Sequence, residues 1–193
     1  VRGPKVSKEP LPGVSLENAF RMVKVCRSRR DRVALIMLLD GGFRAAELLA
    51  LNVGDCDLVG GGVYIRHGKG NKSRSVFLGK MALRELRAYL RERGAVKPDD
   101  PLLPSKNGAR LGYGGLVHIL KSSAKEAGVP VPGAHDFRRA FALAFLRAGG
   151  DLVTLSRLMG HSSLEVLKTY LAIVDRDLAR GYAQFGPTVG GRR

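Results

Sequence analysis

Acidic residues are scarce in this chain. Its 193 residues carry 17 Asp and Glu against 33 Lys and Arg, a formal net charge of +16. An excess of that size favours a polyanionic partner. Long apolar runs are missing too, and so is a strongly basic amphipathic anchor, which sets a lipid surface behind nucleic acid. Cysteine is limited to Cys26 and Cys56, far apart and without metal-ligand spacing. They read as two free thiols in a reducing compartment. The N-terminal VRGPKVSKEPLPG has no apolar secretory core. The sequence has no GxxxxGK[ST] phosphate loop, no carboxylate cluster of the two-metal nuclease type and no internal repeat. Its four histidines, His67, His118, His135 and His161, show no ligand spacing. The charge therefore points to a nucleic-acid partner and the thiols to a cytoplasmic setting, and no metal or cofactor is expected.

What is present reads as one mainly helical α+β domain with a small sheet. Residues 1–14 are basic and Pro-rich and read as a linker, the remnant of an interdomain connection. Ser15 caps a first helix, SLENAFRMVKVC, with Leu16, Phe20 and Val23 on one side. DRVALIMLLDGG is apolar nearly all round, so this helix is central, and Gly41–Gly42 ends it. FRAAELLAL follows, with Arg44 in its first turn and Glu47 three residues on, within reach. GGGVYIRH and SRSVFL are β-rich runs around GKGNK and predict a hairpin. GKMALRELRAYLRERG turns Leu83, Leu86 and Leu90 inward, and YGGLVHILKSSAKEAG ends at Gly128. A final short helix is expected over 176–185, and 186–193 as a flexible tail. The domain therefore spans 15–185.

The stretch HDFRRAFALAFLRAGGDLVTLSRLMGHSSLEVLKTY, residues 135–170, concentrates the chemistry. On a helix from His135 to Ala148, Phe137, Phe141 and Phe145 form one core stripe. Arg138 falls at its edge, half desolvated, and calls for an anion. A nearby Asp or Glu satisfies that need, and so does a bound phosphate. Gly160 breaks the next helix, and Ser162 with Glu165 has capping-box spacing. His161 then sits in a turn and Tyr170 near the end of a short helix that can pivot. By itself Tyr170 is an ordinary amphipathic tyrosine, as Tyr64, Tyr89, Tyr113 and Tyr182 are taken to be. Lys69, flanked by glycines at the hairpin tip, is either a solvated basic turn on DNA backbone or a side chain free to enter a groove.

The order Arg…Lys…His-x-x-Arg…Gly-His…Tyr, carried by GGFRAAELLAL, GKGNKSRSVFL, HDFRRAFA, LMGHSS and the downstream tyrosine, resembles the tyrosine recombinases, the phage-integrase and Xer-like family. The resemblance covers the chain from about residue 15 and implies their catalytic-domain fold. It implies Tyr170 as a nucleophile that forms a covalent 3′-phosphotyrosine, without metal or ATP. Arg44 and Arg138 would bind the non-bridging oxygens and Lys69 would protonate the leaving oxygen. His135 would assist proton transfer, His161 would hydrogen-bond the phosphate and Glu47 would orient these groups. Two departures, Gly41-Gly42-Phe43 before the first arginine and Leu171-Ala172 after the tyrosine, touch no catalytic position. A separate N-terminal DNA-binding domain is usual in the family, and residues 1–14 are expected to be what remains here of the connection to one.

Lys72, Arg74, Lys106, Arg110 and Arg139 are expected to contact phosphates without reading sequence. The segment 176–185 resembles the one that relatives pack onto a neighbouring protomer in a tetramer on double-stranded DNA. A type IB topoisomerase and a DNA-binding module without turnover are the alternatives.

Overall fold

A serine starts each of the first two helices. Ser15 accepts the Asn18 amide at 3.1 Å at the head of α1 (Leu16–Val25), and Ser28 accepts the Asp31 amide at 3.1 Å at the head of α2 (Arg29–Gly41). Each bond satisfies a donor that a helix start leaves open. The computed structural model describes residues 13–66, 73–160 and 165–185, and within the last segment the side chains of 170–175, 177–179 and 182–184. After α2 come α3 (Ala45–Ala50), a 3-10 turn (Val53–Asp55), β1 (Gly62–Ile65) and β2 (Arg74–Phe77). Then follow α4 (Lys80–Arg93), α5 (Tyr113–Ala127), α6 (Ala134–Arg147), α7 (Leu152–Met159) and α8 (Glu165–Phe185). The domain is α+β and mainly helical. Among the described residues, no helix is long and apolar enough to cross a membrane.

α2 is the centre because it has no polar face. Every residue from Val33 to Leu39 is buried, and α1, α3, α4, α5, α6 and β2 all pack against it. Each large aliphatic side chain buried there contributes about 1.5–3 kcal/mol. The helix ends at Gly42, whose φ of 57° is left-handed and favours glycine. β1 and β2 form an antiparallel pair with Val63 opposite Val76 and Ile65 opposite Arg74. Strand alternation turns Val63, Ile65 and Val76 inward and leaves Tyr64 and Phe77 in solvent.

Two apolar clusters result. The larger unites α1 to α5 with the sheet and the start of α6, through Phe137 and Ala140. The smaller joins the second half of α6 to α7 and α8, through Ala142, Leu143, Leu146, Leu155, Met159, Tyr170 and Val174.

The structure corrects four local expectations. On α1 the buried residues are Ala19, Met22 and Val23, while Leu16 and Phe20 stay 44% and 43% exposed. The small and flexible side chains let α1 approach α5 closely, and the larger ones border a groove with Met81, Phe141 and Phe145. Of the phenylalanine stripe only Phe137 is fully buried, and Phe141 and Phe145 are half-buried. Tyr89 is a core residue whose hydroxyl donates to the Leu102 carbonyl at 3.0 Å. Finally, α8 is one helix of 21 residues, not a short helix followed by a separate one over 176–185.

Candidate active site

The site is built on the C-terminal end of α7. A helix leaves its last carbonyls without partners and carries partial negative charge there. Here three successive carbonyls each accept an arginine from a different element. Arg74 Nε of β2 donates to the Leu158 carbonyl at 2.9 Å. Arg138 of α6 donates to Met159, and Arg44, at the head of α3, donates to Gly160 at 3.2 Å. Gly160 ends α7 in the left-handed region, φ 59° and ψ 47°. A Cβ at Gly160 would stand 2.9 Å from the Arg74 guanidinium, so the position needs glycine for both conformation and space.

The same arginines converge on Glu47, whose side chain is 3% exposed. Arg74 grips the carboxylate with both terminal nitrogens, each at 2.7 Å. Arg44 donates from its guanidinium at 2.6 Å and from its backbone amide at 2.8 Å. Arg138 stands 4.0 Å from the carboxylate and donates to the Gly42 carbonyl at 2.5 Å. Burial alone would push the Glu47 carboxyl up, but the hydrogen bonds from Arg74 and Arg44 outweigh it and bring it down to about 2. Burial and then Arg44 pull Arg138 down to about 10, so it stays charged at neutral pH. Three arginines against one carboxylate leave a surplus of two positive charges in an enclosure where charge is costly. Such an enclosure favours an anion.

Tyr170 and His135 border this cradle. Tyr170 is 5% exposed, on α8, inside the smaller apolar cluster. Burial pushes its hydroxyl above the ordinary value of 10.0, against the opposing pull of Arg139 and Arg138. His135 lies exposed in the first turn of α6. Partial burial of the ring, then Arg139 and Arg138, hold it below the usual 6.5, so the ring is neutral at pH 7.

The candidate residues thus divide. The fold brings Arg44, Glu47, His135, Arg138 and Tyr170 together. Lys69, Lys72 and His161, with the expected cap at Ser162, lie outside the described residues. Arg138 is buried to 1% exposure, not half desolvated, because the Gly42 and Met159 carbonyls, with the Glu47 carboxylate 4.0 Å away, supply partners inside the core. Tyr170 lies in the sixth position of a 21-residue helix, not near its end, and is buried. Two of the expected DNA contacts are engaged internally. Arg74 is turned inward, and Arg110 pins the loop after α3 through the Leu49 and Leu51 carbonyls at 3.0 and 2.9 Å and Asn52 at 2.6 Å. Arg139 is half-buried beside Asp136 at 3.5 Å and interacts with Tyr170. Lys106 is exposed. The sequence reading missed Arg74 as a cradle member. The signal was its place two residues before inward-facing Val76, on the same face of the strand.

With this geometry in hand, comparison with known proteins is informative. The model of the phage integrase family matches residues 14–176. The tyrosine recombinase XerC of Actinobacillus pleuropneumoniae is 30% identical over 188 residues, covering 94% of this chain and 61% of the relative. XerA of Pyrococcus furiosus is 30% identical over 184 residues, covering 92% and 63%. The chain therefore spans about three fifths of the length of these curated relatives. The crystal structure of XerA recombinase superposes with a TM-score of 0.80 at 25% identity, covering 97% of this chain and 67% of that one. XerH site-specific recombinase, in a post-cleavage complex bound to a palindromic difH substrate, superposes with a TM-score of 0.76 at 26% identity, covering 93% and 55%.

Proposed function

The chain belongs to the phage integrase family, and we propose that residues 15–185 are the catalytic domain of a site-specific tyrosine recombinase acting on duplex DNA. One observation carries this reading: a buried cradle of three arginines on Glu47 and the α7 terminus, with two surplus positive charges, bordered by Tyr170.

In this reading the Tyr170 oxygen attacks the scissile phosphorus. The bond to the 5′-oxygen breaks as the tyrosyl–phosphorus bond forms, giving a 3′-phosphotyrosine and a free 5′-hydroxyl. Attack by the 5′-hydroxyl of another strand reverses the step and rejoins DNA. The diester brings one negative charge and the tyrosinate a second, which the surplus of two on the cradle balances. Arg44 and Arg138 hold the non-bridging oxygens, where preorganised donors lower the barrier most. Neutral His135 takes the tyrosyl proton. Lys69 protonates the departing 5′-oxygen and His161 donates to the phosphate, as the family resemblance implies. The bond energy is retained on the protein, so the exchange uses no ATP.

Because Tyr170 is 5% exposed, cleavage requires α8 to shift until the hydroxyl faces a phosphate on the cradle. The outer face of α8 shows Leu171, Leu178 and Tyr182 at helical spacing, 37%, 66% and 62% exposed. We assign that face to self-association on DNA, in the tetramer expected of the family. Lys72, Lys106 and Arg139 remain assigned to the DNA backbone.

The test uses a pool of nicked duplexes of randomised sequence, nicked so that the released 5′-hydroxyl fragment diffuses away and covalent adduct accumulates. The wild-type chain gives an SDS-resistant protein–DNA adduct and Tyr170→Phe gives none. Equal adduct from Tyr170→Phe removes Tyr170 as nucleophile. Wild-type binding without any adduct makes the chain a DNA-binding module that keeps the fold without turnover.

A further inference from the structure

Arg74 is engaged through every one of its guanidinium nitrogens. Its Nε is taken by the Leu158 carbonyl at 2.9 Å, and its two terminal nitrogens by the two oxygens of Glu47, each at 2.7 Å. Its side chain is 10% exposed. An arginine spent in this way is a poor contact for DNA backbone, and its fork matches a carboxylate more closely than any lysine does. Each Glu47 oxygen also receives one bond from Arg44. Arg138 is the third cation at this carboxylate, and it stands off at 4.0 Å.

That gap has a physical cause. Between an unscreened carboxylate and a guanidinium in a buried setting, attraction closes distance unless other donors already fill the carboxylate. Arg74 fills it. Without Arg74, Glu47 would carry Arg44 alone, and Arg138 would be the nearest cation able to replace the lost fork. Two Arg138 hydrogens serve the Gly42 and Met159 carbonyls, and a closed Glu47–Arg138 pair would take hydrogens otherwise open to phosphate. Loss of Arg74 would itself lower the surplus from two positive charges to one.

We propose that Arg74 is a positioning residue for DNA cleavage: by saturating Glu47 with its fork, it keeps Arg138 from collapsing onto that carboxylate and leaves Arg44 and Arg138 open to phosphate. It also ties β2 to the end of α7, because the arginine that grips Glu47 is the one that holds the Leu158 carbonyl. The space for this tie comes from Gly160, where any side chain would meet the Arg74 guanidinium. The inference rests on the reading of the site as a phosphate cradle.

Arg74→Ala, Arg74→Lys and the double variant Arg74→Ala/Glu47→Gln test it on the nicked-duplex pool, with single-turnover cleavage at saturating DNA and the DNA dissociation constant measured separately. Arg74→Ala should cleave about 100-fold more slowly, as loss of a preorganised donor does, with a dissociation constant within about threefold of wild type, since one phosphate contact is not being removed. Arg74→Lys, which keeps the charge and loses the fork, should cleave at about a tenth of the wild-type rate. Glu47→Gln added to Arg74→Ala should recover about tenfold, because a neutral amide does not capture Arg138. Parallel loss of binding and cleavage would make Arg74 a DNA contact and overturn the proposal. So would unimpaired cleavage by Arg74→Lys, the variant that decides the matter if Arg74→Ala does not fold. A crystal structure of Arg74→Lys gives a readout independent of activity: Glu47 and Arg138 should close from 4.0 Å to hydrogen-bond distance. Persistence of the gap overturns the positioning role even if the wild type proves inert on DNA, a result that would fault only the assignment of function.

Discussion

The arginine cradle and the helix that carries Tyr170 are held in opposite ways. Arg44, Arg74 and Arg138 each bridge at least two elements through directional bonds to Glu47, to α7 carbonyls or to Gly42. Among the described residues, α8 is held mainly by a small apolar cluster, with an exposed ion pair between Arg147 and Asp177 at 2.6 Å and an interaction of Tyr170 with Arg139 beside it. Directional buried bonds specify one geometry and are costly to break. Apolar packing is non-directional and tolerates a shift of one element over another. In the proposed reading, the difference separates what must be in place before DNA arrives from what must move once it has: a phosphate site is preorganised, and its nucleophile is stored beside it, buried and protonated.

The largest effect should come from breaking the cradle at its most buried member. Arg138→Ala leaves the Gly42 and Met159 carbonyls without their donor and opens a void in the core, and should lower folding stability by about 3–5 kcal/mol. Urea denaturation measures that loss. Where the variant still folds, it should bind DNA with much of the salt-dependent affinity left and cleave poorly. Next comes acid. The Glu47 carboxyl is held at about 2, below its ordinary 4.5, so its contribution is present above 4.5 and disappears as pH falls toward 2. That contribution is about 3 kcal/mol. Chemical denaturation across this window should show a steeper loss in the wild type than in Glu47→Gln.

Gly160→Ala sharpens the comparison at the point where the two regions meet. It forces a left-handed alanine against Arg74 and should cost about 1–2 kcal/mol in a thermal melt, with cleavage falling because both the α7 end and Arg74 shift. The smallest effect is expected on the α8 side. Asp177→Asn removes an exposed ion pair with 51% and 37% side-chain exposure and should cost about 0.5 kcal/mol or less. Hydrogen exchange should nevertheless speed up in α8 before it changes in α2 or α3. Equal protection in all three helices would erase the distinction between a rigid cradle and a movable nucleophile.

Much of this was legible in the residues because it depends on local spacing. Ser15 as a cap, the apolar α2, Gly42 and Gly128 as helix ends, the hairpin, and the Arg44–Glu47 pair three residues apart follow from one or two turns of chain. The rest depends on partners far away in sequence. Arg74 read as a surface cation because nothing within the hairpin reveals that Glu47, 27 residues upstream, waits behind it. Tyr170 read as loosely held because its burial comes from Ala142, Leu143 and Met159 on other helices. The division of the last helix at 176 failed for a simpler reason. Charged residues such as Asp175, Arg176 and Asp177 propagate a helix well enough when its inner face is packed, and α8 runs through them.

The most direct test of the account is to locate the covalent bond. The protein–DNA adduct is denatured, digested with protease and nuclease, and its nucleotide-bearing peptide sequenced by tandem mass spectrometry. The account requires a 3′-linked nucleotide on Tyr170. A nucleotide on Tyr182, twelve residues further along α8 and 62% exposed, or on any other residue, contradicts it.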